Sequence, residues 1–359
     1  MTNQILEEFF KLNFFTHAAV GSKSFDKKEL GPFYINTKIG QLFDLASLTK
    51  ILVTTFSYMH YWQFSKKNDQ HFFAVPLSQK TPFFQHSSKK GINLEQLFRH
   101  TSGYDQWLPL YLVNDLNSQG LAKYLDDKEL GYNPGSERKY SDLGFLWLEE
   151  LFPYLTEGKQ LYSYWCEHFV RPLKLTRLLY LPLRHFNKEE LIPSSFGNEF
   201  EKKMIEEENF GYKVNLPYKH FTLWRNYLLQ GEVNDGNGYY LKNGVAPHCG
   251  LFGSLSETML LAEQLWNPSF FNSETLDYVL REDSFGGGIG FARSDRILQL
   301  GLDSSEWCGH HGFTGCTIAW NLKKKSTFVF LSNRLIHGFN DAGQYPDWKK
   351  VGKKIISIM

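Results

Sequence analysis

Three short runs in the chain hold residue types suited to acyl transfer. The first is Ser47-Leu48-Thr49-Lys50. A serine at the start of a helix sits beside unpaired backbone N–H groups, and these can hold an oxyanion. A lysine three residues on shares its helix face and can reach the hydroxyl. In an apolar setting that lysine would be neutral and able to take the serine proton. The spacing alone says little, because Ser24/Lys27 and Ser87/Lys90 repeat it. Without the chemistry, Ser47 is a helix cap and Lys50 reaches for solvent.

The second run is Tyr140-Ser141-Asp142, after the loop NPGSERK. A tyrosine at a loop–helix junction can direct its hydroxyl into a cleft as a general base or acid. The structural alternative is that Ser141 or Asp142 caps the next helix and Tyr140 packs. The third run is Gly309-His310-His311-Gly312-Phe313-Thr314-Gly315. Its glycines would let a ligand approach a strand edge. Adjacent residues on a strand face opposite sides, so His310 and His311 do not make a chelating pair. No metal site is expected there.

The flanking pattern indicates what must position these runs. Residues 16–45 read as short strands and turns, and SLTKILVTTFSYMHYWQF as a buried helix. INLEQLFRHTSG and SLSETMLLAEQLW each open with capping-box spacing, Asn93/Gln96 and Ser254/Glu257. LGFLWLEELFPYL reads as another apolar helix, and 66–90 and 185–245 as loop-rich. GGGIGFAR, GCTIAWNL and STFVFLSNRL read as strands, the last two joined through NLKKKS as a hairpin. Near the N-terminus, Ile5, Phe9 and Leu12 fall on one face of a short helix, and WKKVGKKIISIM forms a final helix. The expected fold is α+β in three layers (αβα). An antiparallel sheet built from both chain ends is flanked by helices, with a mainly helical inserted region. The expected division is 1–75 with 246–359 against 76–245, and the active site lies in the cleft between them.

Composition narrows the function. The chain has 359 residues, 42% hydrophobic, enough for a large core. Its formal net charge is +1, so no field gathers nucleic acid. No stretch of about 18 apolar residues is present, so no membrane span is expected. The N-terminus lacks a basic leader pattern, which favours the cytoplasm. A chain trimmed of its leader would look the same and fit the periplasm. Cys166, Cys249, Cys308 and Cys316 are scattered and read as free thiols. His100 reads as bonding its own Thr-Ser-Gly turn, His248 as a turn-stabilising histidine, and Asp235 and Asn237 as turn caps.

The three runs, in order, resemble the three motifs of the serine β-lactamase and penicillin-binding-protein superfamily: S-x-x-K, Y-x-N and K-T-G or H-T-G. Their flanks resemble its class C-related branch of peptidases and esterases. FDLASLTK is similar to F-x-x-A-S-x-T-K, LEQLFRHTSGY to L-L-x-H-T-S-G-L, and GVAPHCGLFGSLSET to G-V-A-G-H-A-G-L-F-S-T-A-x-D. The resemblance spans about 40–335. It implies Ser47 as the acylated nucleophile, Lys50 as its proton partner, and Tyr140 as shared base and later acid. It implies an oxyanion hole from the N–H groups of Ser47 and Phe313, and His310 in the place of the third motif's lysine. Asp142, His311 and Gly312 would contact substrate. Two departures stand out. His311 replaces the threonine that helps hold a substrate carboxylate, which disfavours penicillins as substrates. Asp142 replaces asparagine and would keep Lys50 protonated. The implied function is a cofactor-free serine hydrolase acting on a small amide or ester, first a D-amino-acid-containing or cell-wall-derived peptide. A carboxylesterase or acyltransferase is the neighbouring reading. A non-catalytic protein binding a peptide or muropeptide is the reading from another class.

Overall fold

The computed structural model describes residues 1–24, 29–65, 72–207, 214, 216, 218–303 and 305–357. Lys27 of the Ser24/Lys27 repeat lies outside them, as does part of each of the two loop-rich stretches. The strands in chain order are β1 Ala18–Ser24, β2 Glu29–Ile35, β3 Phe43–Asp44, β4 Leu178–Tyr180 and β5 Pro193–Phe196. They continue with β6 Leu228–Gln230, β7 Leu251–Gly253, β8 Trp307–His311, β9 Thr317–Asn321 and β10 Ser326–Ser332.

The main sheet runs β2-β1-β10-β9-β8, antiparallel throughout, so both chain ends build it. Both its faces are covered, which explains the unbroken apolar run of β10. Successive side chains on a strand point to opposite faces. Phe328 and Phe330 therefore pack with Ile5, Leu6, Phe9, Val351 and Ile355 of the terminal helices. Val329 and Leu331 join Leu48, Ile51, Leu52 and Trp320 in the larger core. Burying each such side chain contributes about 1.5–3 kcal/mol. This is the expected α+β arrangement of a two-sided antiparallel sheet between helical layers.

Several local expectations change. The first helix, Thr2–Lys11, buries Ile5, Leu6 and Phe9, but Leu12 follows its end and is exposed. Asn93 and Gln96 form a reciprocal capping box. Ser254 caps through the Glu257 N–H, but the Glu257 carboxylate turns instead to the backbone of Thr176 and Arg177. The GGGIGFAR segment is not a strand. Its glycines leave only bridges, Gly287 to Ala292 and Ala292 to Gly309. Between 76 and 245, short strands join the helices: β4 pairs with β7, and β5 with β6. Among the described residues no helix is long and apolar enough to cross a membrane.

Candidate active site

The turn after β3 presents Ser47. Asp44 is buried and its carboxylate accepts the N–H of Ala46 at 2.8 Å and of Asn234 at 2.9 Å. Burial pushes its carboxyl up to about 6 against those two hydrogen bonds. Ala46 is held at φ +45°, a conformation that costs a non-glycine residue of order 1–3 kcal/mol. Its carbonyl accepts the Thr49 hydroxyl at 2.7 Å, and that oxygen accepts the Leu251 N–H at 3.2 Å. The chain then enters a helix whose first turns, Lys50–Thr55, are wound as π-helix before the α-helix Phe56–Phe64. Such wide turns recur at functional sites.

Lys50 is fully buried, with polar partners close around its ammonium. It lies 2.9 Å from Ser47 Oγ, 2.7 Å from Asp142 Oδ1 and 3.2 Å from the His248 carbonyl. Burial pulls its pKa down, but the Asp142 carboxylate and the Tyr140 oxygen outweigh that and leave it raised. Lys50 is therefore an ammonium, not the neutral base its apolar surroundings suggested. The Tyr140 ring centroid lies 4.9 Å from Lys50 Nζ, and burial raises the pKa of its hydroxyl while the neighbouring Lys50 and Ser47 oppose the rise.

The Tyr140 run is fixed from three sides. Ser141 caps the Asp142–Leu155 helix through the Gly144 N–H at 3.1 Å and donates to the Asp105 carbonyl at 2.7 Å. Its own N–H donates to His100 Nδ1 at 3.0 Å. The His100 ring lies against the Tyr140 ring, tilted by 40° with centroids 4.5 Å apart. His100 thus braces the tyrosine loop instead of its own turn, a correction to the sequence reading. The capping and cleft-facing readings of Tyr-Ser-Asp both hold.

The end of β8 forms the facing wall. A Cβ on Gly312 would lie 2.5 Å from the Leu45 carbonyl, so glycine is required for this strand to reach the nucleophile turn. The Gly312 N–H donates to the Cys316 carbonyl at 2.7 Å and is closed to a ligand. The Phe313 carbonyl is held by Arg334 Nε at 2.8 Å. Among the described residues, the N–H groups of Ser47 and Phe313 donate to no acceptor. Both residues line the cleft.

The two histidines diverge. His310 Nδ1 lies 2.8 Å from the His311 carbonyl. A carbonyl only accepts, so Nδ1 carries the proton and Nε2 is left as an acceptor. Burial, with Lys50 nearby, lowers its pKa to about 3. His311 points its nitrogens elsewhere. Nε2 donates to the Leu298 carbonyl at 2.6 Å, so Nδ1 accepts the Thr317 hydroxyl at 2.8 Å. Thr317 Oγ1 in turn accepts Trp348 Nε1 at 3.2 Å. Both ring nitrogens are used, so neither is free for the substrate contact that the resemblance implied. The alternation of side chains along β8 is the reason.

Residues outside the three runs complete the surroundings. His248 is 1% exposed, and its Nε2 lies 3.2 Å from Asp235 Oδ1. Asp235 also accepts the Gly238 N–H at 2.7 Å, as a turn cap would. Asn237 instead clamps a distant loop through Leu108 and Leu110. Glu201 lies in the same wall, and burial beside Asp235 raises its carboxyl to about 7. The four cysteines are free thiols.

Comparison with known proteins agrees with this geometry. Residues 38–182 match the β-lactamase family model. A provisionally named D-alanyl-D-alanine carboxypeptidase of Escherichia coli (strain K12) is 25% identical over 335 residues, covering 87% of this chain and 74% of that protein. An N-acetylmuramyl-L-alanine amidase of Bacillus subtilis (strain 168) is 27% identical over 325 residues, covering 83% and 69%. Among solved structures, EstCE1, a hydrolase with promiscuous acyltransferase activity, superposes with a TM-score of 0.69 at 14% identity over 99% of this chain and 97% of that one. The D-amino acid amidase of Ochrobactrum anthropi gives 0.67 at 11% identity, covering 99% and 96%. The fold is that of the β-lactamases and penicillin-binding proteins, and the family match over residues 38–182, with the carboxypeptidase and amidase relatives, indicates a serine hydrolase.

Proposed function

We propose that Ser47 forms an acyl-enzyme with a small amide or ester, first among them a D-amino-acid-containing or cell-wall-derived peptide. The observation that carries this is the placing of Ser47 Oγ 2.9 Å from Lys50 in a cleft also lined by Tyr140 and Phe313, with the N–H groups of Ser47 and Phe313 unengaged. With Lys50 held as an ammonium, the base is Tyr140 in its phenolate form, whose charge Lys50 offsets. The Ser47 proton passes to Tyr140 as Oγ attacks the carbonyl carbon, and the N–H groups of Ser47 and Phe313 receive the oxyanion. Tyr140 then gives that proton to the leaving nitrogen or oxygen as its bond to carbon breaks. Water repeats the sequence: its proton goes to Tyr140, its hydroxide to the carbonyl, and Ser47 is released protonated. His310 stays neutral and offers Nε2 as an acceptor. Asp142 fixes the charge on Lys50.

We also propose that 1–75 with 246–359 and 76–245 act as the two sides of the cleft. The division is supported by the main-sheet strands, which all fall in the first set, while Tyr140 and Asp142 come from the second.

The peptide preference draws on the relatives named for a carboxypeptidase and amidases. Intact-mass spectrometry after a fluorophosphonate tests the core reading. One adduct, lost in Ser47→Ala, is expected; a folded protein with none overturns it. A panel of p-nitrophenyl esters, D-Ala-D-Ala peptides and nitrocefin then ranks substrates, with nitrocefin expected to be slow or inert.

A further inference from the structure

The cleft divides at Ser47, Tyr140 and Phe313 into two lobes, each of about 430 Å³. Each volume lies in the range of small-molecule sites, about 300–1,000 Å³. Their linings are segregated by charge. One lobe is lined by Asp44, Asp142, Glu201 and Asp235 and by no lysine or arginine. The other is lined by Arg99, Arg138, Arg296 and Lys349 and by no aspartate or glutamate.

Some of these charges are already matched. Asp142 pairs with Lys50, Asp235 accepts the Gly238 N–H and lies 3.2 Å from His248 Nε2, and Asp44 accepts two N–H groups. Arg99 faces Glu95 and Asp283. What is left keeps the same polarity. Glu201 accepts from the Gly236 N–H at 2.7 Å, Tyr111 at 3.0 Å and Asn198 at 3.2 Å, all neutral donors. The nearby Arg225 guanidinium is spent on Asn198 and on the carbonyls of Val233 and Asn234. Phe200, Phe313 and Tyr345 pack together on this lobe with centroids 5.1–5.6 Å apart, and aromatic faces also favour cations. His248 lines the same lobe, is 1% exposed, and has no hydrogen-bond partner at Nδ1. In the opposite lobe, Arg138 Nε is buried without a partner.

We infer that the cleft selects short peptides with both termini free: the ammonium-bearing acyl half sits in the carboxylate-lined lobe, and the carboxylate-bearing leaving half in the arginine-lined lobe. This rests on the Ser47 acyl-enzyme and specifies its substrate. In an unblocked dipeptide the ammonium lies on the acyl side of the scissile bond and the carboxylate on the leaving side, so the two lobes fix one orientation. Neutral substrates gain neither contact. A substrate reversed in the cleft would place like charges together.

The test uses the intact protein and two substrate sets, each as D and L forms. Alanine p-nitrophenyl esters, free or N-acetylated, probe the acyl lobe. Ala-Ala, its N-acetyl form and its C-terminal amide probe both lobes. Wild-type kcat/KM is expected to fall about 10- to 100-fold on N-acetylation, and by a similar factor on amidation, the range for a lost charge-assisted contact. In Glu201→Gln the ratio of free to N-acetylated ester should collapse toward one, and in Arg138→Gln the ratio of free to amidated dipeptide. If either variant does not fold, the wild-type ratios still decide. Equal or faster turnover of N-acetylated esters overturns the ammonium lobe. Ester turnover with no cleavage of any dipeptide, or equal cleavage of the amide, overturns the carboxylate lobe. Failure of p-nitrophenyl acetate turnover together with absence of a Ser47 adduct would overturn the acyl-enzyme reading itself.

Discussion

The two walls that meet at Ser47 handle charge in opposite ways. The helical wall concentrates it: the Lys50 ammonium contacts the Asp142 carboxylate at 2.7 Å with Ser47 and Tyr140 alongside. The strand wall removes it. Burial drives His310 and His311 neutral, with pKa values lowered to about 3 and about 4, and Gly312 and Phe313, which continue the wall, carry no charge. The helical wall can move protons, while the strand wall supplies shape and N–H groups that do not titrate. Substitutions on the first should alter rate and pH dependence together. Those on the second should separate rate from stability.

Ser47→Ala gives the largest expected effect. Loss of the nucleophile should lower ester turnover by about 10⁴-fold or more, with unchanged circular dichroism. Residual turnover within tenfold of wild type would locate the chemistry elsewhere. Lys50→Ala comes next and strikes both properties. It leaves Asp142 without its cation, and breaking a buried pair costs about 3–5 kcal/mol. Urea unfolding should show that loss, and turnover should fall nearly as far as in Ser47→Ala, because groups that act as a unit are not additive. A variant of wild-type stability would mean that the pair is not coupled.

Asp142→Asn tests the charge state of the helical wall. Lys50 and Tyr140 both have raised pKa values, and Asp142 raises each. The phenolate base therefore forms only on the alkaline side, and wild-type kcat/KM for a neutral ester should still climb above pH 9. Without the carboxylate, both values fall and the climb should move to lower pH by about one unit. An unmoved or upward-shifted limb would exclude Tyr140 as the base held in check by Asp142.

Much of the fold was legible because its signals are local. The two-faced apolar pattern of β10, the Asn93 capping box and the NLKKKS hairpin each need only a few neighbouring residues. The GGGIGFAR run misled because apolar content outweighed the weak strand preference of three glycines. The order and flanks of the three runs separated Ser47 from Ser24 and Ser87, which share its spacing. The charge on Lys50 could be foreseen from Asp142, but its size depends on a 2.7 Å contact across 92 positions of chain. Asp44, Glu201, Asp235 and His248 carry no recognisable spacing as a group. They converge only because β3, the Glu199–Glu206 helix and the loops holding Asp235 and His248 meet at one cavity.

The smallest effects are expected on the strand wall, where two adjacent histidines should respond differently. His311→Ala leaves the Leu298 carbonyl without its donor and the Thr317 hydroxyl without its acceptor, and removes the ring packed 5.5 Å from Trp348. Stranded buried polar groups cost about 1–3 kcal/mol, which urea unfolding should register with turnover nearly unchanged. His310→Ala loses one bond to a carbonyl, where His311→Ala loses two bonds and a ring contact, so stability should change less. Its ring lines the cleft 5.9 Å from the Tyr140 ring, and its removal should slow the ester reaction about tenfold. That slowing should be equal from pH 6 to 9, because an imidazole titrating near 3 is neutral throughout. Both rings line the cleft; if His311→Ala proved the slower enzyme, or the His310→Ala defect varied over that range, the division of His310 to the reaction and His311 to packing would be overturned.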